Sequence, residues 1–311
     1  MERTRLFHNI LCPVDFSDHS RQALGYASLL ASRSKGRLVV IFVEDPMLVA
    51  AAAAAYDEKA LLDKARKELR RLVEKTIQPY GIRIDNVTLD VTVGRPHERI
   101  VSTARQMKCD VIVMGAHGRS GMNKLMMGST THRVLRRSRL PILATPPAGA
   151  RARGPTKDWP GKMVIAPVDI GVRDRGDALA AAIVARELGT QLELVHIVEP
   201  IGNPPWLEVD ADRRNRQRER RALVRLTQLQ DELKGTATAV RVESGKPANE
   251  IAKVASSKHV GLVIMTRRRG QGLWGPRQGS ISYEVLCKAN TPVLALPSDT
   301  AWMRRVVRRR V

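Results

Sequence analysis

The feature that most restricts this chain is that it writes one pattern twice. Asn9-Ile10-Leu11-Cys12-Pro13-Val14-Asp15 returns as Met163-Val164-Ile165-Ala166-Pro167-Val168-Asp169. The apolar run 38–43 returns at 192–198, and Gly94-Arg95-Pro96 as Gly245-Lys246-Pro247. Ile112-Val113-Met114 returns within Leu262-Val263-Ile264-Met265, and Pro141-Ile142-Leu143-Ala144 as Pro292-Val293-Leu294-Ala295. Echoes in the same order across 311 residues mean an internal duplication, two copies of one domain of ordinary size. Hydrophobic residues make up 43% of the chain and aromatics only 4%, so each core rests on Val, Ile, Leu and Ala. Such cores suit buried parallel strands under helices.

Within the first copy, strand and helix patterns alternate. Residues 8–14 form an apolar run ending at Asp15. Ser17 or Asp18 can cap a helix through residue 32, with apolar residues at 23, 24, 27, 30 and 31. Strands are expected at 37–43, 87–93, 111–114 and 142–144. A long helix is expected at 57–80, where Leu61, Ala65, Leu69, Leu72, Val73 and Ile77 keep near-helical spacing and Gly81 follows its end. Pro96 suits the first turn of a helix to about residue 107, where its missing N–H costs nothing. The alternation predicts an α/β fold, a doubly wound parallel sheet in each copy. Residues 148–159 read as a linker between domains at 1–147 and 160–299, with a basic tail at 300–311. The alanine-rich segment 50–55 is either a lid or the first turn of the long helix.

Between the fourth and fifth strands lies the segment that carries chemistry. It reads Met114-Gly115-Ala116-His117-Gly118, nine residues from Arg119 to Met127, then Gly128-Ser129. Glycines allow close approach of backbone to a ligand or a positive φ. Gly128-Ser129 opens the next helix, whose free N–H groups and dipole suit a phosphate. Arg119 and Lys124 could neutralise phosphates or simply face solvent. No Walker A motif is present, no dinucleotide glycine fingerprint follows the first strand, and no metal set or catalytic triad surrounds His117. No catalytic residue and no metal ligand is therefore assigned.

Charge and cysteines bound the remaining classes. The net charge is +22, with peaks at 213–225, Arg267-Arg268-Arg269 and 304–310. A solvated helix face plus a basic tail is the plain reading, and three arginines in a loop are read as solvated. Nucleic acid or another polyanion bound through this surface is the competing one, though no interleaved aromatics or reader motif accompany it. Cys12, Cys109 and Cys287 lie in or beside apolar segments and fit buried thiols better than a disulfide framework. Residues 48–55 are too short an apolar run to span a membrane. The expected location is cytoplasmic.

Each half resembles a universal stress protein domain, and the whole chain resembles tandem members of that family. The resemblance is carried by Pro13-Val14-Asp15-Phe16-Ser17, by Gly94-Arg95-Pro96, and by Met114 through Ser129, which keeps the family's ATP-loop spacing. It implies two Rossmann-like domains, each a five-stranded parallel sheet of order 3-2-1-4-5, with ATP, with or without Mg, at the carboxyl ends of the first and fourth strands. It assigns Asp15 to the adenosine, Pro13, Val14, Val43 and Met114 to the adenine pocket, and Gly115, His117, Gly118, Gly128, Ser129 and Thr130 to ribose and phosphates. The second copy keeps Asp169 but holds Thr266 and Arg269 where the first has Gly115 and Gly118. It reads as a copy that has lost the nucleotide, or one that binds another anion. The implied function is an ATP-binding, nucleotide-dependent regulator in stress response. The alternatives are a slow ATPase and a polyanion binder. The two copies are expected to pair as a pseudo-dimer, with a homodimer also open and no membrane partner.

Overall fold

The computed structural model describes residues 6–52, 57–117, 127–147, 154–171, 174–202, 210–233, 236–267, 280–297 and 302. The chain divides into two compact units. One comprises Met1–Trp159 with Arg267–Arg277 and Pro297–Val311; the other comprises Pro160–Thr266 with Gln278–Leu296.

In the first unit the order is β1 (Asn9–Val14), α1 (Asp18–Ser34), β2 (Arg37–Glu44), α2 (Pro46–Ala52), α3 (Glu58–Ile77), β3 (Val87–Val93), α4 (Pro96–Gln106), β4 (Val111–Gly115), α5 (Ser129–Arg137) and β5 (Ile142–Thr145). The strands lie in the order β3-β2-β1-β4-β5 and pair in parallel. Central strands buried on both faces need continuous apolar runs. Ile10, Leu11, Cys12, Val111, Ile112 and Val113 are accordingly fully buried.

Pro13 decides where the crevice opens. β1 pairs with β2 along its whole length, but its pairing with β4 is Ile10↔Val111 and Leu11↔Ile112. Proline has no N–H to extend a ladder and is foreign to the middle of a sheet. The β1–β4 ladder stops two residues before Pro13, so the strand ends are released from one another where the sheet order reverses. That is the place where open α/β sheets bind ligands.

Local chemistry explains the helix boundaries. Ser17 caps α1 by accepting from the Ser20 N–H at 3.2 Å. Asp57 caps α3, which ends at Ile77 in a short 3-10 turn, Gln78–Tyr80, closed by Gly81 at φ 69°. The expected helix to residue 80 therefore tightens at its last turn, where Pro79 removes a donor. Ala50 to Ala52 belong to α2 and not to the first turn of α3; residues 53–56 lie outside the described residues. The expected linker is in its last part built into the first unit. A Cβ on Gly25 of α1 would lie 2.6 Å from Pro155. Trp159 is buried edge-on to Tyr26, ring centroids 5.2 Å apart.

The second unit repeats the scheme with β6 (Met163–Pro167), α6 (Asp174–Leu188), β7 (Gln191–Val198), α7 (Ala211–Glu232), β8 (Ala237–Ser244), α8 (Pro247–Ala255), β9 (Val260–Arg267), α9 (Ile281–Lys288) and β10 (Val293–Pro297). Its strand order is β10-β9-β6-β7-β8. Pro167 repeats the part of Pro13: the β6–β9 pairing ends at Ile165↔Val263, two residues before it. Its outer edge holds a charged pair that hydropathy alone conceals: Glu193, buried on β7, accepts from Arg241 Nε of β8 at 2.9 Å. All three cysteine thiols are buried. No helix among the described residues is long and apolar enough to cross a membrane.

Candidate functional site

The site is built where the first turn of α1, the end of β4 and the first turn of α5 meet. Asp15 follows β1 directly. Its Oδ1 accepts from the Ser17 N–H at 3.1 Å and the Ser17 hydroxyl at 2.5 Å, and its own N–H donates to Ser20 Oγ at 3.2 Å. Ser17 is thus the cap of α1 and Asp15 the brace that orients it. A carboxylate has acceptor capacity beyond one oxygen, so bracing Ser17 does not exclude a ligand contact. Between them Phe16 sits at φ 65°, a conformation a non-glycine residue adopts only when its surroundings hold it. Its ring meets Phe42 of β2 edge-on at 4.7 Å. Nothing in the hydropathy pattern singles out this aromatic pair.

β4 ends at Gly115, packed against α1. A Cβ at 115 would lie 2.9 Å from the His117 carbonyl oxygen, 3.3 Å from His19 Cβ and 3.4 Å from the His19 carbonyl oxygen. The missing side chain is therefore required by the protein's own turn. This corrects the expectation that glycine here clears room for a ligand: protein atoms fill that space. Val14, Met114 and His117 are buried, so their side chains belong to the core, with the His117 ring 6.2 Å from that of His19. Pro13 and Val43 are half-buried at their strand ends.

α5 begins against the same strand end. The Thr131 hydroxyl donates to the Gly115 carbonyl at 2.8 Å, and the Gly128 N–H donates to the Ala116 carbonyl at 2.9 Å. Gly128 is the N-cap and, lacking a side chain, supplies no capping hydrogen bond. Ser129 is exposed and Thr130 half-buried at this bare helix start. Asp15, Gly115, Gly128, Ser129 and Thr130 are thus gathered at one end of the sheet. Gly118, Arg119 and Lys124 lie outside the described residues.

At the corresponding end of the second unit the groups are used internally. α9 is capped by Ser280, whose side chain accepts from the Tyr283 N–H at 3.3 Å. With Pro167↔Val195 matching Pro13↔Ile41, His196 stands where the first copy has Phe42. Its Nδ1 lies 2.8 Å from the Val168 carbonyl oxygen, at the mouth of the β6 end.

Arg267 corrects the reading of its arginine run as solvated. Although it ends β9, it belongs to the first unit; it is buried there, and its guanidinium donates to the carbonyl oxygens of Leu135, Ser138 and Leu140, the last at 2.9 Å. Burial pushes its pKa down to about 10, so it keeps its charge at neutral pH. A cation on the last carbonyls of α5 complements the helix dipole. Arg268, Arg269 and Gly279 lie outside the described residues. No group of three or more His, Cys, Asp or Glu residues able to hold a metal occurs among the described residues.

Comparison with known proteins agrees with the repeat. The model of the universal stress protein family matches residues 6–146 and again 162–297. A universal stress protein of Methanocaldococcus jannaschii is 30% identical over 141 residues, 44% of this chain and 81% of that protein. One from Thermus aquaticus is 31% identical over 140 residues, 44% of this chain and 98% of that protein. The crystal structure of a universal stress protein from Archaeoglobus fulgidus superposes with a TM-score of 0.64 at 20% identity, covering 94% of this chain and 98% of that one, a likeness of fold. Two successive family matches over a duplicated α/β fold make this chain a tandem member of the universal stress protein family.

Proposed function

We propose that the first copy binds ATP at the carboxyl ends of β1 and β4 and that the bound nucleotide sets the protein's conformation or partnership in a cytoplasmic stress response. The observation that carries this reading is the bare start of α5. Its N-cap has no side chain, and Thr131 and Gly128 tie it to the end of β4. Unsatisfied N–H groups and the positive end of a helix dipole attract a phosphate chain. Ser129 and Thr130 add hydroxyls beside those amides, and Asp15 stands across the released strand ends to meet the nucleoside. Mg would travel with the triphosphate, since no protein set for it is assigned. Without a base or a metal cage among the assigned residues, turnover is slow or absent.

The second copy is read as free of nucleotide. His196 engages the Val168 carbonyl, and Ser280 is spent on its own helix.

The test is Ser129→Asp. An acid in the first turn favours the helix by about 0.3–1 kcal/mol, yet repels phosphate. The expected outcome is loss of ATP binding in equilibrium titration with no fall in melting temperature. Undiminished ATP affinity in this variant would reject the placement.

A further inference from the structure

Outside the proposed nucleotide site, the outward face of α7 carries a dense group of arginines. Its inward face, Ala222, Leu226 and Leu229, is buried against β7 and β8. Two of its arginines are engaged within the unit. Arg225 makes a two-pronged contact with Asp174 at 2.8 and 3.1 Å, and Arg218 donates to the Glu199 carbonyl at 2.6 Å. The remaining five, Arg213, Arg214, Arg216, Arg220 and Arg221, are exposed, and none makes an ion pair with a described residue. Arg213, Arg216 and Arg220 fall at i, i+3 and i+7, one stripe of the helix; Arg214 and Arg221, seven apart, fall on the next. Of the acids of this helix, Asp212 and Glu219 flank the first stripe, at i−4 and i+3 from Arg216, and Asp231 and Glu232 lie at its far end.

From these facts we infer that the solvent face of α7 docks the phosphate backbone of double-stranded nucleic acid. The charge densities of the two surfaces match. Residues 213–221 span about 12 Å at 1.5 Å per residue. Duplex DNA presents roughly one charge per 1.7 Å of axis, so about seven phosphates lie along that length. Five guanidiniums are suited to meet them, since each presents a planar fork of donors to a phosphate. The net charge of +22 adds long-range attraction. A helix lying on a membrane would need its apolar face outward. The main apolar face of α7 is turned onto its own sheet, and Leu223 and Val224, exposed beside the arginines, are two side chains in place of an apolar face, which favours nucleic acid over a lipid surface. No aromatic residue on α7 offers a platform for unpaired bases, and no base-reading motif accompanies it. The docking is therefore to duplex backbone and independent of sequence.

The full chain is titrated against a fluorescent 30-base-pair duplex of random sequence over a series of salt concentrations, beside Arg213→Gln/Arg216→Gln/Arg220→Gln. ATP stoichiometry and the melting curve report that the variant is folded. Each phosphate contact contributes about 0.9 to the slope of log affinity against log salt. The expected result is a slope shallower by roughly 2.7 in the triple variant, with ATP binding unchanged. An unaltered slope would overturn the inference. With a variant lacking residues 303–311 and phosphatidylserine vesicles titrated in parallel, duplex binding that depends on residues 303–311 alone, absence of duplex binding at low salt, or a loss confined to the vesicles would overturn it too.

Discussion

At position 115 even a methyl group would sit 2.9 Å from a carbonyl oxygen. Gly115→Ala should therefore destabilise the first unit by about 1–3 kcal/mol, the cost of overpacking, measured by urea denaturation. It would weaken ATP binding only as a consequence. This separates it from Ser129→Asp, which acts on the ligand and spares the fold. Arg267 is a second residue whose role lies in the fold. Arg267→Met leaves three carbonyls at the end of α5 without their cation. It should lower stability by about 3 kcal/mol, within the range for breaking a buried charged contact, again read in urea. Both residues were visible in the sequence, yet their partners were not. A glycine filled by protein and one facing a ligand look alike until His19 is seen against β4. An arginine in a run of three gives no sign that it will be buried.

At the scale of the elements, most boundaries were legible because each rests on local chemistry. The period-2 and period-3.6 patterns, Pro96 at a helix start and Gly81 at a helix end each act within a few residues. The crevice was expected at the ends of the first and fourth strands through the family resemblance; that the β1–β4 and β6–β9 pairings stop two residues before Pro13 and Pro167 emerged only from the register. What escaped were pairings between distant segments: Phe16 with Phe42, Trp159 with Tyr26, Asp174 with Arg225. The last sets a pH dependence. The Arg225 hydrogen bonds hold the Asp174 carboxyl below its ordinary range, with the Arg175 and Gly171 N–H groups adding to the effect. Its stabilisation is present above the unfolded pKa, near 3.9, and is lost as pH falls through the lower folded value. In the first unit, burial and then Arg137 and Arg133 lower the pKa of His97. Its neutral form is the folded one, so stability is retained above about pH 6.5 and declines below it. Acid titration followed by amide exchange should show α4 of the first unit loosening before α6 of the second. Asp174→Asn should remove the later step, and simultaneous loosening of both helices would contradict the assignment.

For the whole molecule, duplication has produced two copies that share a fold and differ at their strand ends. The first leaves the start of α5 bare; the second caps α9 with Ser280 and occupies Val168 with His196. Sequence showed the asymmetry at Thr266 and Arg269, and the structure adds these two internal contacts to it. Calorimetric titration of the full chain with ATP tests the account most directly. It predicts one ATP per chain, abolished by Ser129→Asp and untouched by Ser280→Asp. Two ATP per chain, or one that survives Ser129→Asp, would contradict it.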